Sequence, residues 1–281
     1  MKQQIKSSLI LLLTATIWGV AFVAQSVGME YIGPFTFNAI RCVLGGLVLI
    51  PVILVLKKKK ETGAENQEKE DKKTLWAGGI ACGVILCIAS NLQQFGIMEA
   101  SVGKSGFFTA LYIVMIPVIG IFIGKRPGIK LWFCVALAVV GMYLLCMKDG
   151  SFTIERADIM LLLCALAFSF HILVVDYFSS KVDGVKMSCI QFFVCGVLSA
   201  VGMLFTETPD ISNIQAAWMP LLYAGLLSCG VGYTLQIVGQ KGINPVIASL
   251  IMSLESVISA LAGWVILGQV LSLKEIIGCV L

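Results

Sequence analysis

Charge and histidine are what this chain has least of. Only 13% of its 281 residues are Asp, Glu, Lys or Arg, and it holds a single histidine, His171. One histidine excludes a multi-histidine metal centre. The ten cysteines contain no C-x-x-C pair that would point to a zinc site or a disulfide framework. Buried free thiols behave as small hydrophobes, and that reading fits Cys42, Cys82, Cys87, Cys134, Cys164 and Cys195, all inside apolar runs. Neither H-E-x-x-H nor G-x-S-x-G occurs. Gly103-Lys104-Ser105 has the ending of a phosphate loop, but the first glycine of that motif would fall on Met98. An enzyme is therefore not expected, and neither is a cofactor. No polar stretch is long enough for a nucleotide-binding or soluble catalytic domain.

What fills the chain instead is hydrocarbon. Hydrophobic residues make up 58% and the mean hydropathy is +0.96, far from a soluble domain. Ten apolar stretches, most of about twenty residues, account for nearly all of the sequence. A bilayer core of about 30 Å needs about twenty apolar residues in a helix, and lipid cannot satisfy an open backbone. The expected spans are Ser7–Val27, Pro34–Leu56, Leu75–Ile97, Ser105–Gly124, Ile129–Met147, Ala157–Phe178, Val185–Phe205, Trp218–Val238, Pro245–Leu267 and one starting at Leu273. Pro34 and Pro245 fit a first helical turn, where a missing N–H costs nothing. The basic start Met1–Lys6 has the form of a signal peptide, but Ser7–Val27 is too long for its apolar core and reads as a retained span. The nine residues from Leu273 to Leu281 cover about 14 Å of helix, so the tenth span is read as cut short.

Lysine and arginine give the orientation. With the N-terminus in the cytoplasm, fifteen of the twenty fall on the inner side, four on the outer side, and Arg41 lies within a span. The net charge of +4 thus follows topology and does not imply nucleic acid. The linker 57–74 carries both signs of charge and reads as a solvated cytoplasmic loop, with lipid headgroups as its alternative partner.

The stretch Asn91–Val118 is similar to Tyr233–Val257. Each runs from a glutamine-bearing helix end (Gln94, Gln236) through a break to a matched pair, Pro117-Val118 and Ser256-Val257. Two halves of five spans each, 1–147 and 148–281, must then lie in opposite orientations, as in inverted-repeat transporters. Further residues carry a resemblance. They are Thr16-Ile17-Trp18-Gly19-Val20-Ala21-Phe22, Phe37-x-x-x-Arg41, Gly103 to Tyr112 leading to Pro117, and Leu254-Glu255-Ser256-Val257 followed by Leu267-Gly268-Gln269. Over its whole length the chain resembles the EamA-type members of the drug/metabolite transporter superfamily. It departs from that pattern at Ser256, where a proline is usual, and at Gln269, where a glutamate often follows the glycine. The resemblance implies an all-α polytopic membrane protein of ten transmembrane helices in two inverted repeats. It also implies export or exchange of small metabolites.

Ionisable groups at membrane depth are costly unless they face protein or water. Arg41 is either an anion-binding or gating charge, or a structural clamp paired with Glu30 or Glu99. Glu255 is either a proton or cation site or a carboxyl held by a structural hydrogen bond. His171 is either a satisfied structural group or a proton-linked one. Polar stripes at helical spacing mark further residues. Thr14, Trp18 and Gln25 share a face of the first span; Asn91 and Gln94 share one of the third; Ser105, Thr109 and Tyr112 share one of the fourth. Ser188, Gln191, Cys195 and Ser199 share one of the seventh, and Tyr233 and Gln236 one of the eighth. Such stripes either line a wet cavity or bond helices together. Gly79-x-x-x-Gly83 and Gly120-x-x-x-Gly124 read as packing motifs.

The expected function is a secondary transporter in the cytoplasmic membrane, exporter or exchanger, working by alternating access on small metabolites or amphipathic compounds. Its expected substrate-binding set is Trp18, Arg41, Asn91, Gln94, Thr109, Tyr112, His171, Gln191, Tyr233, Gln236 and Glu255. Its partners are a small-molecule substrate and membrane lipid, with proton or ion coupling, as a monomer or homodimer. The alternative is a lipid-handling or membrane interaction protein without solute turnover.

Overall fold

A computed structural model describes residues 2–62, 71–122, 124, 128–146 and 155–280. The middle of the 57–74 linker, the cations Lys125 and Arg126, and the 147/148 boundary expected between the halves lie outside the described residues. The described residues are helical and contain no strand. Eight helical segments among them are long and apolar enough to cross a membrane.

The first three are single helices, α1 (Lys2–Gly28), α2 (Pro34–Thr62) and α3 (Lys72–Ile97). The fourth is interrupted into α4 (Val102–Ala110) and α5 (Tyr112–Phe122). After α6 (Ile129–Cys146) come α7 (Arg156–Ser179) and α8 (Gly184–Thr206), followed by the short α9 (Ile211–Ala216). The next span is α10 (Trp218–Leu222), a π-helical segment (Tyr223–Tyr233) and α11 (Thr234–Gln240). The last long span is α12 (Pro245–Met252) plus α13 (Glu255–Leu267), and α14 (Leu273–Val280) packs on α6.

Helix starts follow local chemistry. Asp71, Ser101, Asp183 and Asn244 cap α3, α4, α8 and α12 through side-chain oxygens that accept backbone N–H groups. The Thr74 hydroxyl and the Lys73 N–H hold the Asp71 carboxyl below the usual range. The start of α2 borrows its cap from far away. Both Glu207 oxygens accept from it, Oε1 from Phe35 N at 2.9 Å and Oε2 from Thr36 N at 2.8 Å. Lys104 Nζ sits 2.9 Å from both Glu155 Oε2 and Asp158 Oδ1, tying α4 to the start of α7.

The helix pairings come in matched sets. α1 packs on α13 and α7 packs on α4; α3 packs on α7 and α1 packs on the π segment with α11. α3 lies against α8, and α2 against the π segment; α2 meets α8, and α4–α5 meets α12–α13. Exchanging α1 with α7, α2 with α8, α3 with the span of α10, the π segment and α11, and α4–α5 with α12–α13 returns these pairings.

Small residues make the closest approaches. A Cβ on Gly79 would sit 2.5 Å from Ile190, and one on Gly83 would sit 2.7 Å from Val194, so α3 and α8 meet through that glycine pair as expected. The second pair fails. Gly124 has φ +80° and, among the described residues, nothing within 4 Å of its Cβ position, so it turns the chain and does not pack helices there.

Candidate functional site

Both interrupted spans break in mid-course, one closed by backbone bonds alone and the other with serine hydroxyls as well. At Leu111 the ladder tightens, with Val114 N donating to Leu111 O at 3.0 Å. In the other span Ser256 N donates to Ser253 O at 3.1 Å, and the hydroxyls of Ser253, Ser256 and Ser259 donate to the carbonyls three residues back. Hydrocarbon leaves no water for such carbonyls, so serine is the residue that lets a helix bend there. The first residue after one break is Tyr112, and after the other, Glu255.

These two residues meet at a small cavity in the core of the bundle. α1 contributes Trp18, Ala21, Phe22 and Gln25, and α2 contributes Arg41. Gln93 of α3, Thr109 of α4 and Tyr112 of α5 follow; α7 adds Phe168 and Ile172. The rest of the wall is Ser228 and Tyr233 of the π segment, Gln236 of α11 and Glu255 of α13. Arg41 is its cation and Glu255 its acid.

Arg41 is 2% exposed. Its Nη1 donates to Gln25 Oε1 at 2.7 Å, and its guanidinium lies 5.6 Å from the Phe37 ring centroid. Its Nε has no hydrogen-bond partner. Glu255, 3% exposed, accepts at Oε1 from the Tyr112 hydroxyl at 2.9 Å. Gln93 Nε2 donates to Thr109 Oγ1 at 3.3 Å.

The aromatic wall is built on the π segment. Trp18 and Tyr233 pack with centroids 4.6 Å apart and ring planes tilted by 56°, and Trp18 Nε1 donates to Ser228 O at 3.4 Å. A Cβ on Gly232 would lie 2.7 Å from Trp18 Nε1, so a glycine is needed where the indole crosses. Gly45 and Gly225 do the same for α2. A Cβ on Gly45 would meet Cys229 Cβ at 2.5 Å, and one on Gly225 would meet Leu44 Cβ at 2.7 Å. Close approach of α2 to the wide π turn is what carries Arg41 into the core. A permanent cation, a carboxyl, three amides and five aromatic side chains then face one small space, a set suited to a solute with both charged and apolar parts.

Comparison with known proteins decides the family. The model of the EamA-like transporter family matches residues 5–147 and again 155–281. The chain belongs to that family. An "Uncharacterized transporter" of Archaeoglobus fulgidus is 26% identical over 272 residues, covering 96% of this chain and 81% of the relative. The Bacillus subtilis "Uncharacterized transporter YwfM" is 23% identical over 290 residues, covering 98% and 90%. A crystal structure described only as that of a protein superposes with a TM-score of 0.77 at 18% identity, over 98% of this chain and 93% of that one, which shows the fold.

Within this EamA-like chain the expected residues divide. Trp18, Arg41, Thr109, Tyr112, Tyr233, Gln236 and Glu255 line the cavity. Asn91, Gln94, His171 and Gln191 do not. Asn91 accepts from Asn38 Nδ2 at 2.9 Å and donates to Ser199 Oγ at 3.0 Å, joining α2, α3 and α8. His171 Nε2 lies 3.1 Å from Gln191 Oε1, and Ser188 lies 3.0 Å from Thr234, so the α8 stripe bonds helices together. Gln94 is fully buried, and neither of its amide atoms has a partner. The expected pairing of Arg41 with Glu30 or Glu99 is corrected. Both acids are exposed, and a neutral amide, Gln25, takes their place. Spacing alone did not bring forward Gln93, Phe22, Phe168, Ile172 or Ser228; Gln25 stood only in the α1 stripe. The described thiols behave as expected of small core residues, with Cys42 and Cys195 in contact at 3.4 Å and both free, and the side chain of Cys134 lies outside the described ones. Among the described residues no group of three His, Cys, Asp or Glu side chains could hold a metal ion.

Proposed function

We propose that this EamA-like protein is a secondary transporter. It moves small metabolites or amphipathic compounds across the cytoplasmic membrane, as exporter or exchanger, by alternating access. The observation that carries the reading is the buried cavity, with Arg41 and Glu255 on its wall, built from spans of both the first and the second part of the chain. The two-fold match of the family model and the matched helix pairings support a division into inverted halves at 147/148, with ten spans in all. Fifteen lysines and arginines on one side support a cytoplasmic N-terminus. The protein is not an enzyme in this account and needs no cofactor. Lipid surrounds it, and it works as a monomer or homodimer.

Trp18, Arg41, Thr109, Tyr112, Tyr233, Gln236 and Glu255 are the proposed contacts to solute. Glu255 is the proposed carrier of a coupling proton, since a carboxyl facing a cavity can exchange one with water there. Counterflow in proteoliposomes tests the transport. A preloaded solute from a metabolite panel should drive uptake of its labelled form above equilibrium, and empty liposomes should not. Uptake that ignores an imposed pH gradient removes the proton from the account and leaves the transport.

A further inference from the structure

We infer that the solute carries an anionic group, a carboxylate or a phosphate monoester, which docks on Arg41 beside an apolar body. The inference rests on the transport reading of the same cavity and goes on to name the chemistry it takes. Arginine cannot shed its proton in a protein, so it cannot escape burial by becoming neutral. Taking such a charge out of water is costly unless an opposite charge and hydrogen bonds replace the water.

In this bundle the opposite charge is missing. Arg41 is 98% buried by its 2% exposure, yet among the described residues its polar partner is the neutral Gln25 amide, on Nη1 alone. Its Nε is buried without a partner. The cavity's own acid does not fill the role, because the contact of Glu255 is with the Tyr112 hydroxyl. Gln25 fixes one arm of the fork and leaves the rest for a ligand. A planar fork of that kind matches the two oxygens of a carboxylate or phosphate.

The walls set the remainder of the solute. Phe22, Trp18 and Phe168 offer apolar and aromatic surface. Such a wall suits the apolar or aromatic body of an amphipathic anion.

The test uses the full chain in detergent and follows ligand-induced shifts of its thermal unfolding. The probes are 3-phenylpropionate, phenyl phosphate, the uncharged 3-phenylpropionamide, 2-phenylethylamine, and dihexanoylphosphatidylglycerol as the lipid phosphate. At least one of the two soluble anions should raise the unfolding temperature, and the amide and the amine should not. Arg41→Gln should weaken that anion's binding by about tenfold or more, and Arg41→Lys by less. Gln25→Leu, which keeps the charge and frees the fork, provides a second variant that should also weaken it. Binding of the amine or amide as tight as that of the anion overturns the inference. So does unchanged anion binding in both Arg41→Gln and Gln25→Leu, or a folded protein that binds neither soluble anion. Binding of the short-chain lipid alone overturns it in favour of a headgroup site. Counterflow with the same probes separates the two claims. Arg41-dependent binding without exchange removes transport and keeps the anion site, whereas exchange of neutral or cationic solutes only keeps transport and removes the anion site.

Discussion

Tyr112 donates a hydrogen bond of 2.9 Å to Glu255, across 143 residues of sequence, from the first position after one helix break to the first position after the other. The bond joins the two interrupted spans at the cavity wall. Tyr112→Phe removes the donor and leaves a buried carboxyl without it, which costs about 1–3 kcal/mol. Thermal unfolding in detergent should fall accordingly. In a double-mutant cycle with Glu255→Leu, which leaves no acceptor, the two losses should be less than additive, because both remove one contact. Fully additive losses would mean the bond contributes nothing.

The second prediction concerns the clamp at the start of α2. Glu207 accepts from two backbone N–H groups there and from the Thr36 hydroxyl at 2.6 Å. A negative charge on a helix N-terminus complements its dipole, and a lost cap costs about 0.5–2 kcal/mol. Glu207→Ala should lower stability by about that amount, and Glu207→Gln by less. Hydrogen exchange should rise at Phe35 and Thr36 in the alanine variant and leave α13 unchanged.

A third prediction separates glycines that pack from glycines that only connect. At Gly45 a Cβ would meet Cys229 Cβ at 2.5 Å and Gly225 O at 3.2 Å, so neither neighbour can swing away. Overpacking of this kind costs about 1–3 kcal/mol. Gly45→Ala should therefore unfold at lower temperature and shift Arg41, whereas Gly128→Ala, with nothing within 4 Å among the described residues, should match the parent protein. Equal behaviour of the two variants would remove close approach as the reason α2 and the π segment meet.

The fourth prediction turns on the polar layer outside the cavity. His171 and Gln191 bond each other at 3.1 Å in the fully buried core. His171→Gln keeps a polar group at the site and should leave solute affinity nearly unchanged while altering stability. Gln93→Leu, on the cavity wall, should change affinity with little effect on stability. Ligand titrations and unfolding curves on the two variants check this division.

Hydrophobic length was the part of this architecture legible in residues alone, since a bilayer dictates it. The first helix begins at Lys2 and the second runs to Thr62, beyond the expected edges, because lysine stems continue a helix outside the apolar core. Faces were harder. Asn91 and Gln94 lie on one stripe of α3, but Gln93 is the residue that reaches the cavity. α3 packs on α7 and α8 and also touches α4, so polarity is useful on more than one of its sides and spacing cannot choose between them. The partner of Arg41 was illegible for another reason. An acid is the intuitive partner for a buried cation, and only the fold brings Gln25 of α1 within 2.7 Å. The π segment was hidden too, although Gly225, Gly230 and Gly232 mark where another helix comes close.

Two-sided access to the cavity is the measurement that tests the central claim most directly. Gln93→Cys, placed on the cavity wall, is treated with a membrane-impermeant maleimide in right-side-out and in inverted vesicles, and labelling above the parent chain is scored. Alternating access predicts reaction from both faces, with 3-phenylpropionate or phenyl phosphate protecting the thiol. Labelling from one face only, or from neither in folded protein, would contradict the account.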